Sequence, residues 1–136
     1  MTRVLKVSGF LGLTAMMGVG MYQHTLSSAG GAPGWMVGGH AHLGVLSILA
    51  IALGVVVDLY DVTGRLKTAV QWLFVVGQWL LPVSIWVGVG MEVFVLLPTV
   101  FLWGAFLIVA MLLMAWQFAT GAAPPNRPAA GAPADD

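Results

Sequence analysis

Three histidines, His24, His40 and His42, stand in stretches that otherwise carry almost no ionisable group. An imidazole in such surroundings is a hydrogen-bonded neutral side chain, a proton carrier or a metal ligand. His40 and His42 are two residues apart. On a helix that is about 200° of rotation, so they face opposite directions. On the His40 side the helical spacing runs through Gly44, Ser47, Ile51 and Gly54. Such a stripe of small residues admits either a second helix or a flat ring at close range. On the His42 side it runs through Val45, Leu46, Leu49 and Leu53. An imidazole opening an apolar face wants a partner for its ring nitrogen, and a metal is the commonest strong one.

The chemistry open to these residues is narrow. With no cysteine in the chain, disulfides, iron–sulfur clusters, thiolate-ligated or covalently attached haem and cysteine-based zinc sites are excluded. Zinc normally takes three or four protein ligands, and only the three histidines and Glu92, which come from different depths, are on offer. Haem iron needs as few as one imidazole, and six Trp and six Phe suit the walls of a porphyrin pocket. A non-covalent haem b is the economical reading, with His40, His42 and His24 all on offer as its metal ligand. His24 sits close to the interface, where pointing to water explains it equally well.

A second constellation lies further along. Trp72, Trp79 and Trp86 recur every seven residues, beside a polar line of Gln71 and Gln78 with Pro82 and Ser84 above. Gln78 falls near mid-membrane, where an amide needs hydrogen-bond partners, so it orients a substrate or bridges two helices. Pro82 frees the carbonyl of Gln78 itself.

The elements that must position these residues follow from composition. Of 136 residues, 60% are apolar and only 7% charged, against about a quarter charged in soluble domains, so the chain reads as an integral membrane protein. Five Lys+Arg balance five Asp+Glu, leaving no basic surface for a nucleic-acid backbone. Four apolar runs predict helices over about 4–25, 35–59, 68–90 and 93–118, each long enough to cross a bilayer. The expected fold is all-α: a four-helix bundle of up-down topology over 1–119, followed by an irregular Pro/Ala/Gly-rich tail over 120–136. Arg3, Lys6, Arg65, Lys67 and Arg127 all fall on one side of these spans, which puts both termini in the cytoplasm. In that frame His40 and His42 lie about 8–10 Å deeper than Trp35, in the outer half of the bilayer. A rival reading makes the first run a signal peptide, with Ser27-Ser28-Ala29 as its small-residue cleavage site.

Two resemblances follow. The run Gly39-His40-Ala41-His42-Leu43-Gly44 resembles the His-x-His segment of haem–copper oxidase and nitric oxide reductase catalytic subunits, where the two histidines serve different haems. That match covers one helix, without the copper or non-haem iron histidines. Over all four helices the chain is similar to the styrene oxide isomerase family and its small four-helix relatives. The motifs are Gly34-Trp35, His42-Leu43-Gly44 and the Arg65-Leu66 step. The resemblance implies a homotrimer holding haem b, whose ferric iron acts as a Lewis acid on an epoxide oxygen before a hydride shift gives an aldehyde. It implies His42 as axial ligand, with Gln78 and Trp79 in the stretch comparable to that beside the substrate; Trp35, His40, Gly44 and Ser47 are the further candidates to surround the cofactor. The chain departs from the family by an extra residue between Trp35 and His42, by the added His40, and by lacking the family's polar Asn and Tyr. Two other functions remain open: a bis-histidine haem electron carrier serving quinol or a respiratory partner, and a cofactor-free accessory subunit of a membrane complex.

Overall fold

The computed structural model describes residues 3–27 and 29–120. The irregular tail expected over 120–136 therefore lies, beyond Thr120, outside the described residues, as does Ser28 of the candidate cleavage site. The chain is all-α: α1 (Arg3–Ser27), α2 (Gly34–Leu59), α3 (Gly64–Gly90) and α4 (Thr99–Ala119), with a single 3-10 turn at Phe94–Leu96 before α4. Four helical segments are long and apolar enough to cross a membrane.

The connections show why the helices stop where they do. Beyond α1, Gly30 and Gly31 take φ of +111° and +102°, a region glycine enters without a Cβ clash. At the end of α2, Val62 N–H donates to Val57 O at 3.0 Å and Asp61 N–H to Asp58 O at 3.3 Å. Both bonds wrap around Asp61, whose φ is +48°. This is the Schellman arrangement, completed by the buried pair Val57 and Val62. Aspartate tolerates the left-handed region less well than glycine. Asp61→Gly is therefore expected to raise stability by about 0.5 kcal/mol, read as a higher melting temperature in detergent.

Two boundaries differ from the sequence expectation. α3 starts at Gly64, not near 68, because Arg65 and Lys67 sit in a first turn where charged side chains reach water while the backbone is already helical. α4 starts at Thr99, not at 93. Glu92 turns the chain with φ of +59°, and Pro98, with no N–H to give, stands as the N-cap. The intervening Val93–Leu97 residues are apolar, so hydropathy alone runs them into the helix.

The principal helix pairings are α1 with α2, α2 with α3 and α3 with α4, with a smaller contact of α1 on α3. The α1–α2 seam sets side chains of each helix against glycines of the other in antiparallel order, with α3 joining at Gly12. His40 lies over Gly20, Met16 over Gly44, Ser47 and Gln78 over Gly12, Ile51 over Gly9, and Leu5 and Lys6 over Gly54. Lys6 Nζ reaches Asp58 at 2.8 Å at one end of the seam. At the other end Gln23 Nε2 donates to Met36 O at 2.9 Å. The core continues through Leu46, Ala50, Leu53, Val57, Val70 and Phe74 to Ala110 and Met114 of α4. Tyr60 meets Phe118 edge-on, with ring centroids 4.6 Å apart.

Candidate functional site

The histidines separate as their spacing requires. His40 points into the α1–α2 seam, where the absence of a side chain at Gly20 leaves room for its ring. Its Nδ1 is buried there with no hydrogen-bond partner among the described residues. His42 is exposed on the opposite side of α2, and its Nδ1 lies 2.7 Å from Gly38 O. A carbonyl only accepts, so Nδ1 carries the proton, and in the neutral ring the lone pair then sits on Nε2. A backbone hydrogen bond to one ring nitrogen is how proteins fix the tautomer and orientation of a ligating histidine. Ala41, His42, Val45 and Leu46 together line a shallow, almost wholly apolar depression of about 260 Å³. His24 is exposed near the end of α1. Among the described residues, no group of three or more His, Cys, Asp or Glu side chains could hold a metal ion.

The rest of the expected constellation is not gathered around His42. Gly44 and Ser47, expected as a flat cradle for a ring, are covered by α1: Met16 Sδ occupies the space a Cβ at Gly44 would need, and Gly12 faces Ser47. Of the two readings open for that stripe, helix packing is the one observed. Trp35 lies across Gly90 at the end of α3, away from the His42 depression.

Gln78 is fully buried at the junction of three helices. Its Oε1 accepts from Ser8 Oγ at 2.9 Å. Its Nε2 donates to Ser8 O at 3.2 Å and to Ser47 Oγ at 3.1 Å. Ser47 Oγ passes its own proton to Leu43 O at 2.6 Å. Trp79 Nε1 donates to Ser8 Oγ at 2.9 Å. Both amide hydrogens and the amide oxygen of Gln78 are thus engaged, and the residue expected beside a substrate acts here as a clip between α1, α2 and α3. Trp79 joins the clip through its N–H while its ring lines a groove between α1 and α3. Of the other two members of the tryptophan line, Trp86 covers Gly39 and Trp72 is exposed. Gln78→Leu removes interhelical bonds worth about 0.6 kcal/mol each in membranes. It is expected to lower the melting temperature while leaving any cofactor content unchanged. Lost turnover at unchanged stability would instead put Gln78 in catalysis.

Three participants escaped the sequence. Ser8 was visible only as an interruption of an apolar run, yet it joins Gln78 and Trp79. Thr99 and Trp103, one turn apart on α4, converge on Ser84: Thr99 Oγ1 lies 3.1 Å from Ser84 Oγ, and Trp103 Nε1 donates to the same oxygen at 3.0 Å. The i, i+4 placement of a threonine and a tryptophan at a helix start was the available signal.

No curated protein and no solved structure matches the chain. The family model that does match spans residues 1–136, so the chain belongs to the family described as a domain of unknown function, DUF8059.

Proposed function

We propose that the chain is an integral membrane haem-b protein of the epoxide-isomerase type, and that His42 is its axial ligand. The observation that carries this reading is the His42 imidazole, whose Nδ1 is held by Gly38 O and whose Nε2 is left free on an apolar helix face. A polar nitrogen facing hydrocarbon is unfavourable without a partner, and a single oriented imidazole is the protein donor a haem requires. The donor set therefore fits the group. When bound, ferric haem supplies a Lewis-acidic iron able to polarise an epoxide oxygen. Ala41, Val45 and Leu46 would wall that site and exclude water from it. Because this face of α2 provides only one wall, the reading includes a homo-oligomer, a trimer by family resemblance, in which a second copy completes the pocket.

The accompanying topology is an up-down bundle with both termini in the cytoplasm. It is supported by the antiparallel α1–α2 seam and by the placement of Arg3, Lys6, Arg65 and Lys67 at one end. His40 is less suited to ligation, since its ring is enclosed against Gly20. The activity is tested by supplying a small apolar epoxide to membranes containing the protein and measuring the isomeric aldehyde. Wild-type membranes should form it and His42→Ala membranes should not. Equal rates in both would remove His42 from the reaction.

A further inference from the structure

A groove between α1 and α3 lies toward the opposite end of the molecule from the histidines. Both α1 and α3 pack on α2, and they touch each other directly where Ser8 meets Gln78 and Trp79. Beside that clip they leave a trough of about 450 Å³, lined by Arg3, Val4, Val7, Leu11, Val75 and Trp79, with Ser8 also in its wall. Apart from Arg3 its walls are almost entirely apolar, and the Ser8 hydroxyl and Trp79 indole already bond one another. The trough therefore asks for a hydrocarbon chain, not for a polar solute.

Its charged end points to what that chain carries. Lys6 is paired with Asp58 at 2.8 Å, whereas Arg3 has no acidic partner among the described residues. One helical turn from Val75 toward the start of α3, Gln71 borders a depression that Arg65, Lys67 and Thr68 also line. Lys67, Gln71, Val75 and Trp79 follow at four-residue spacing, forming one ridge of α3 that leads from cationic to apolar surroundings. We propose that this groove is a binding site for an anionic phospholipid. One acyl chain lies along Val7, Leu11, Val75 and Trp79, and the phosphate sits at Arg3 with Lys67 and Gln71. The site is independent of the haem reading, since it shares no residue with the His42 face.

The test is native mass spectrometry of the delipidated full chain in detergent, offered equal amounts of phosphatidylglycerol and phosphatidylcholine. The wild type should retain one phosphatidylglycerol per chain with a preference of about tenfold, in line with two cations near one anionic headgroup. Arg3→Gln, which removes an exposed side chain with no ion-pair partner among the described residues, should bring that preference toward unity. Leu11→Trp, which fills the trough from an exposed position, should abolish retention of the lipid while helicity by circular dichroism is unchanged. Equal retention of the two lipids by the wild type would overturn the proposal, as would wild-type selectivity in both variants. A dimer that is lost in Leu11→Trp, with no lipid bound, would overturn it too and assign the groove to a second copy of the chain.

Discussion

His42→Ala should lose haem, with affinity reduced by at least about 100-fold, the upper range for disturbing even the supporting contacts of a ligand. His24→Ala and His40→Ala should keep it. The contrast rests on three different environments on two helices. His24 is exposed at the end of α1, His40 is enclosed over Gly20 with its Nδ1 unpartnered, and His42 is oriented by Gly38 O with Nε2 free. Because the orienting group is a backbone carbonyl, no side-chain substitution removes it, so the ligand itself is the only clean point of attack. The readout is Soret absorbance per chain after reconstitution and gel filtration. Haem kept by His42→Ala and lost by His40→Ala would move the ligand into the α1–α2 seam.

The second large effect concerns the junction of α1, α2 and α3. A Cβ added at Gly12 would run into Ser47 Oγ and would stand 2.7 Å from Gln78 Nε2. Neither neighbour can move without abandoning hydrogen bonds inside a fully buried network. Gly12→Val therefore combines overpacking, about 1–3 kcal/mol, with loss of satisfied buried polar groups, about 1–3 kcal/mol more. The sum is a substantial part of the stability of a small domain. The variant should aggregate or melt far below the wild type in detergent. Gly18→Ala, on the same helix with open space around the new methyl, should be indistinguishable from wild type. A Gly12→Val protein of wild-type melting temperature would mean that α1 does not pack as described.

These two sites also show what the chain discloses before it is folded. The opposite aims of His40 and His42 follow from a two-residue separation on a helix, and the spans follow from apolar runs bounded by charges. What the sequence leaves open is which face of α2 meets which neighbour. That choice depends on complementary gaps in α1 at Gly9, Gly12 and Gly20, and α1 shows no strong amphipathic bias of its own because lipid and core are both apolar. Gly44 and Ser47 were equally compatible with a ring or a helix until Met16 and Gly12 covered them. Gln78 was legible as a buried amide needing partners, but Ser8 is 70 positions away in the chain. Boundaries shifted only where the apolar 3-10 turn at Phe94–Leu96 and Pro98 lead into α4, or where charged residues, Arg65 and Lys67, occupy a helical first turn.

The central claim, that a haem b rests on His42, is tested most directly by an ultraviolet–visible spectrum of the detergent-purified protein, oxidised and dithionite-reduced, with a pyridine haemochrome assay. The account predicts a stoichiometric b-type Soret band with the high-spin signature of ferric iron bearing one strong protein ligand. A low-spin bis-imidazole spectrum would contradict the isomerase reading in favour of electron transfer. A protein that stays colourless after reconstitution with haem would contradict the cofactor itself.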